Sequence, residues 1–174
     1  MLAFRAGDRA AFETLFRRHT PPLVNFLTRM VKDRGRAEEL AQEVFIRIYN
    51  ARERYEAKAR FSTWMFRIAH NLALNDLDRA WRRRERPMED GAESRQADPG
   101  AGPDEQVDAH RTSERLEAAL RELPERQRAA LLLRSNEGLA YDEIAQALGV
   151  SVASVKSLIH RARDGLSQKL REVE

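Results

Sequence analysis

The sequence predicts an all-α protein: two small helical domains joined by a flexible acidic linker, the C-terminal one containing a helix-turn-helix. Three observations carry this. Apolar residues recur at helical spacing along most of the 174 residues, and no stretch alternates with the period of two that a half-buried strand requires. One segment, "EDGAESRQADPGAGPDEQVD" at 89–108, breaks the pattern with seven acidic residues, one Arg, two Pro and three Gly, a net charge of −6. Val107 is its one large aliphatic residue, so it cannot bury enough surface to offset the entropy of ordering it. Close to the C-terminus, "YDEIAQALGVSVASVKSLIHRARDGL" reads as two helices about a tight turn.

The elements follow in order. A short apolar stripe, Ala11, Phe12, Leu15 and Phe16, comes first. Pro21-Pro22 then reads as a helix start, since proline suits the first helical position, and Leu23, Phe26, Leu27, Met30 and Val31 follow at i, i+3, i+4, i+7, i+8. Ala37, Leu40, Ala41, Val44, Phe45 and Ile48 repeat the pattern over a longer span. Phe61, Trp64, Met65, Ile68 and Leu72 form a further stripe, with Ser62 or Thr63 placed to cap its first turn. The expected divisions are a first domain over 1–86, a linker over 87–110 and a second domain over 111–174. In the last, Leu116, Ala119, Leu120 and Leu123 resume the pattern, and Pro124 opens a helix carrying Ala129, Ala130, Leu132 and Leu133. Gly138 is the expected stop.

Composition narrows the function classes. The formal charge is only +3, but the sequence pI of about 9.6 reflects Arg residues that cluster locally, a pattern that suits a nucleic-acid partner. The absence of cysteine excludes disulfides, thiolate metal sites and a Cys nucleophile. No apolar run approaches the ~18 residues of a membrane span, and Met1-Leu2-Ala3-Phe4-Arg5 is no signal peptide, so the expectation is a cytoplasmic protein without membrane insertion.

In the helix-turn-helix, Tyr141, Ile144, Ala145 and Leu148 form one apolar face, and Gly149 stands where the chain reverses. Ser151 can cap the second helix, which Val152, Val155, Leu158 and Ile159 anchor inward. Ala153, Ser154, Lys156, Ser157, His160 and Arg161 then face outward, offering short polar and cationic groups of the kind that reach base edges and phosphates in the major groove. The competing reading is a hairpin that merely packs, with its cations solvated. In the first domain, "RAEELAQEVFIRIYN" sets an apolar face against an outer face of Glu38, Glu39, Gln42 and Glu43. "FSTWMFRIAHNLALNDLDRAWRRRER" interleaves Phe61, Trp64, Phe66 and Trp81 with Arg67, Arg79, Arg82, Arg83, Arg84 and Arg86. Aromatic faces that stack on unpaired bases beside Arg groups that hold phosphates are the pairing of a single-strand binder, although Phe61 and Trp64 on their own read more often as core.

The blocks "AEELAQEVFIRIY", "FSTWMFRIAHNLALNDL" and "LPERQRAALLLRSNEGLAYDEIAQALGVSVASVKSLIHRAR" resemble, in order and spacing, the successive signatures of bacterial sigma-70 family sigma factors of the small extracytoplasmic-function (ECF) type. The resemblance covers nearly the whole chain. It implies a subunit that binds core RNA polymerase and directs promoter-specific transcription initiation, with no catalytic residue, metal or cofactor. Glu39, Leu40, Gln42, Glu43 and Phe45 would bind the clamp helices of the large catalytic subunit. The aromatic-basic segment would capture and melt the −10-type element, with Phe61, Trp64, Asn71, Asn75, Asp76, Arg79, Arg82 and Arg83 as its DNA-binding residues. A loop at about His70 to Asp76 would hold a flipped base. Ser154, Lys156, Ser157, His160 and Arg161 would read the double-stranded −35-type element. An anti-sigma factor is the implied regulatory partner. Two departures from the family pattern are expected. The sequence starts almost at the first helix, so the usual N-terminal tail is short or missing. No extra domain follows Glu174, which argues against the larger subtypes with appended sensor modules.

Two other classes compete. A response-regulator-type activator shares the C-terminal helix-turn-helix but carries an α/β receiver domain, for which the first 86 residues offer no strand-like run. A helical enzyme would need clustered chemistry, whereas the four histidines, His19, His70, His110 and His160, lie far apart with no i, i+4 metal pair.

Overall fold

The computed structural model describes residues 1–85 and 105–171, with side chains over 1–83 and 113–171. Among the described residues the secondary structure is helical throughout: α1 (Leu2–Arg5), α2 (Arg9–Val31), α3 (Arg34–Asn50), a single 3-10 turn (Arg52–Arg54), α4 (Phe61–Glu85), α5 (Glu105–Glu122), α6 (Glu125–Ser135), α7 (Tyr141–Leu148) and α8 (Val152–Arg171). None of these helices is long and apolar enough to cross a membrane.

Short polar residues set the starts. Asp8 accepts from the Ala11 amide at 3.2 Å and Asp33 from the Arg36 amide at 2.8 Å, each satisfying an N–H that the first turn of α2 or α3 would otherwise leave open. Ser151 does the same for α8 through the Ser154 amide at 3.1 Å, as its sequence position suggests. Ala140 ahead of α7 has no side-chain acceptor, but Glu143 reaches back to its amide at 2.9 Å.

In the first half, α2, α3 and α4 bury Leu23, Leu27, Met30, Leu40, Val44, Ile48, Met65 and Phe66 against one another. Each such side chain contributes about 1.5–3 kcal/mol through removal from water. In the second half, Ala129, Leu132 and Leu133 of α6, Ile144 of α7 and Val155 and Ile159 of α8 form the interior. A satellite cluster of Leu120, Leu123, Leu131 and Ala162 fastens the end of α5 to α8.

The halves are not apart. α4 lies against α7, α2 lies against α5 and α6, and the two interiors run into one continuous apolar cluster. Polar contacts reinforce this seam: Arg29 pairs with Glu117 at 2.7 Å, Arg60 lies 3.5 Å from Glu143, and the Arg128 guanidinium donates to the Met30 carbonyl at 3.0 Å. Apolar periodicity marks the buried face of each helix but does not say that the two halves pack on one another.

Four local expectations need correction. Pro21 and Pro22 do not start a helix; they lie inside α2, which joins the first two apolar stripes into one 23-residue helix. Burial of Leu23, Phe26, Leu27 and Met30 outweighs the amide bonds that the prolines cannot make. Ser62 and Thr63 are not caps, because α4 already begins at Phe61, and Thr63 is buried with its hydroxyl unpaired. No loop interrupts 70–76: with neither Gly nor Pro between Phe61 and Glu85, α4 is continuous through it. Finally, α5 begins at Glu105, so 105–110, assigned to the linker, are helical. The rest of the expected linker, 87–104, lies outside the described residues.

Candidate functional site

The reading face of α8 is built from its buried face outward. Val155, Ile159 and Ala162 are buried, which rotates Ser154, Lys156, Ser157, His160 and Arg161 to the outside, and all five are exposed. Gly149 closes α7 at φ +66°, the left-handed conformation that the reversal demands and that side chains disfavour. Leu139, after Gly138 at φ +64°, returns an amide to the Leu133 carbonyl at 3.1 Å, ending α6 as expected. His160 Nδ1 lies 2.6 Å from Asp164 one turn on, which leaves Nε2 as the ring nitrogen free for an outside partner.

On α4 the expected residues divide. Asn71, Asn75, Arg79, Arg82 and Arg83 are exposed along the helix. Phe61 and Trp64 are instead half-buried in an aromatic cluster: Trp64 lies 5.0 Å from Tyr55 and 6.1 Å from Phe61, and Phe61 lies 4.9 Å from His19. Asp76 is held by Arg36, whose Nη2 and Nε both reach its Oδ1, at 2.6 and 2.7 Å. The bonds to Asp76 and then Glu39 raise the Arg36 pKa above its ordinary value. This clamp ties α3 to α4 and occupies the carboxylate. Trp81, 61% exposed among the arginines, is the aromatic with a free face. It stands in the aromatic-basic run but was not among the expected DNA-binding residues; its place in the cationic tail, beyond the last apolar repeat, is the signal that marks it.

A concavity of about 980 Å³ opens beside the 51–60 connection between α3 and α4. Arg54, Tyr55, Lys58, Trp64 and Arg67 line one wall, and Asp142, Gln146 and the α7–α8 turn line the other.

The acidic side of α3 also divides. Glu39 and Gln42 are exposed and Glu43 is partly so, with Glu43 paired to Arg47 at 2.6 Å. Leu40, 1% exposed, and Phe45, 4% exposed, are largely buried, although Phe45 still lines the groove that runs along this side. Their spacing puts them on the stripe that meets α2, where Phe45 contacts Phe12 and Phe16. A groove of about 460 Å³ runs alongside, with Phe16, Pro21, Val24, Glu38 and Gln42 on its walls. Phe16, Ile46 and Tyr49 are the exposed apolar groups near it.

A helix-turn-helix with a free polar face, folded together with a helical unit that carries a cationic aromatic helix and an acidic helix side, defines a DNA-reading protein equipped to dock on another protein. The sigma-70 region 2 family matches residues 15–83 and the sigma-70 region 4 family matches 113–166. The RNA polymerase sigma factor CarQ of Myxococcus xanthus is 35% identical over 176 residues, spanning 100% of this chain and 97% of that protein. The ECF RNA polymerase sigma-E factor of Escherichia coli K12 is 31% identical over 170 residues, spanning 94% and 88%. In fold, the chain is similar to the sigma factor RpoE solved in complex with the anti-sigma factor NepR from Bartonella quintana, with a TM-score of 0.71, 21% identity and coverage of 92% and 97%. The chain belongs to the sigma-70 family, in its ECF group, and is an RNA polymerase sigma factor. The response-regulator alternative is not favoured: it needs strands ahead of the helix-turn-helix, and residues 1–85 are helical with no strand.

Proposed function

We propose a residue-level division of labour for this sigma factor. The exposed side of α3, through Glu39, Gln42 and Glu43 and the adjoining apolar groove, docks on the large catalytic subunit of core RNA polymerase. The tail of α4, with Arg79, Arg82, Arg83 and Trp81, holds the unpaired strand of the −10-type element: guanidiniums on phosphates, the indole on a base. Asn71 and Asn75 lie on the same helix within reach of base edges. A flipped base is best accommodated at the concavity beside 51–60, where Tyr55 and Trp64 supply π-faces and Arg54, Lys58 and Arg67 supply positive charge. The face of α8 formed by Ser154, Lys156, Ser157, His160 and Arg161 reads the −35-type duplex in its major groove.

On this reading the protein makes and breaks no bonds. It works in the cytoplasm with polymerase. An anti-sigma factor of the kind solved with its fold neighbour is the regulator, acting by covering the polymerase-binding surface.

The observation that carries the reading is the exposure of all five α8 side chains on one face, fixed by a capped helix start. Run-off transcription with core enzyme and a promoter library tests it: the chain should select a defined subset of promoters. Sequence-specific DNA binding without polymerase and without transcripts would overturn it. Lys156→Ala or Arg161→Ala should weaken recognition of the upstream element by ~1–3 kcal/mol with altered selectivity where the contact is to a base edge. An equal loss across all upstream variants would assign that residue to phosphate.

A further inference from the structure

A separate concavity of about 390 Å³ lies between the start of α6 and the first turns of α8, with Arg126 on one side and Ser154, Ser157 and Arg161 on the other. No carboxylate lines it. Arg126 is exposed, and among the described residues neither it nor Arg161 belongs to an ion pair, although the chain pairs many of its other arginines with acids. The site is also held in place. Two residues beyond Arg126, α6 enters the interior through Arg128, Ala129 and Ala130, and the start of α8 is locked by the Ser151 cap. Two guanidiniums outside any ion pair, the Ser154 and Ser157 hydroxyls (bonded to Ser151 Oγ at 2.8 Å and to the Ala153 carbonyl at 3.2 Å, and able to accept) and the positive end of a 20-residue helix therefore border one hollow.

We propose that this hollow is a phosphate-binding subsite for the backbone of the upstream duplex, with Arg126 as its further binding residue. The proposal rests on the reading of α8 as the major-groove helix. When α8 lies in the groove, Ser154, Ser157 and Arg161 face the duplex, and the bordering strand passes over the opening that they share with Arg126. A duplex carries one negative charge per ~1.7 Å of its axis, and the guanidinium fork matches the oxygens of a phosphate. Arg126 sits on α6 and not on the recognition helix, so it contributes affinity and register without reading sequence.

The test uses core polymerase loaded with the full chain, and duplexes carrying the cognate or an altered upstream element, titrated with salt. Arg126→Ala should lower affinity by the same factor on both duplexes. It should also flatten the plot of log affinity against log salt by about 0.9, so that its deficit shrinks about threefold between ~50 and ~200 mM salt. Arg126→Lys should restore most of that slope, because it keeps the charge. Because Arg126 is exposed, the alanine variant should melt at the wild-type temperature. An unchanged slope in Arg126→Ala, with Arg161→Ala still weakening binding, would overturn the subsite and leave the α8 reading standing. A change in discrimination between the two duplexes would overturn it too, by making Arg126 a base reader. If Lys156→Ala and Arg161→Ala were also without effect, the α8 reading would fall and take the subsite with it.

Discussion

The α2–α3–α4 interior and the seam between the two halves are both buried, yet they are held by different means. In the first, Leu23, Leu27, Leu40, Val44 and Ile48 are buried in one apolar cluster. In the seam, Arg128 is 1% exposed and donates to two carbonyls, Met30 and Arg121, each at 3.0 Å, while its Nε finds no partner. Burial draws its pKa below the ordinary value, and Glu125 opposes that. Nearby, His70 is 2% exposed with both ring nitrogens unpaired. Burial, followed by the charge of Arg126, pushes its pKa down to about 4. A buried polar group without a partner costs about 1–3 kcal/mol, so the seam carries a penalty that the interior does not. Sharing one apolar cluster therefore does not make the two joints equal.

The comparison can be strained from its strong side first. Leu27→Ala in the interior should destabilise the protein by about 2–5 kcal/mol in chemical denaturation, the cost of lost burial plus the cavity left behind. A loss under 1 kcal/mol would mean that the interior is no better packed than the seam.

The next largest effect is a pH dependence. His70 has a folded pKa near 4, below the ordinary 6.5, so the unfolded chain binds its proton first as the pH falls. Its share of stability is whole above pH 6.5 and declines between 6.5 and 4, by about 3 kcal/mol at most. His70→Leu should flatten that part of the stability–pH curve; a curve of unchanged slope would remove His70 as the cause.

Smaller effects separate the local from the long-range contributions. Ser151→Ala should cost about 1 kcal/mol through loss of the α8 cap, read as a lowered melting temperature. Arg128→Met should cost about 1 kcal/mol, because relief of the buried cation offsets part of the ~1–3 kcal/mol of leaving the Met30 carbonyl buried without its donor. If Arg128→Met matched Leu27→Ala in cost, the distinction between the two regions would collapse.

The sequence was most informative where one physical signal dominates. The stripes of α3, α4 and α8 are visible as apolar periodicity, and the α7–α8 turn as Gly149 followed by Ser151. Pro21 and Pro22 misled because tertiary burial outweighed a local rule. Leu40 and Phe45 entered the expected partner-binding set through the family resemblance; helical geometry turns them largely inward, with Phe45 left at the edge of a groove. On the reading face of α8 the apolar anchors fix the outward positions, so all five expected residues are exposed where they were placed. Asp76 depends on Arg36, forty residues away, and Arg126 on a hollow that exists only when α6 and α8 are packed. Neither has a periodic signature.

The bond from Arg128 to the Met30 carbonyl joins residues 98 positions apart. At a synthesis rate of roughly 5–20 residues per second, Met30 has existed for about 5–20 seconds before its partner is made. The first three long helices can be complete in that interval, with the end of α2 still turned toward water. The seam therefore cannot close until synthesis has passed Arg128. For those seconds the nascent protein carries an exposed apolar flank, available to whatever meets it before the C-terminal helices emerge.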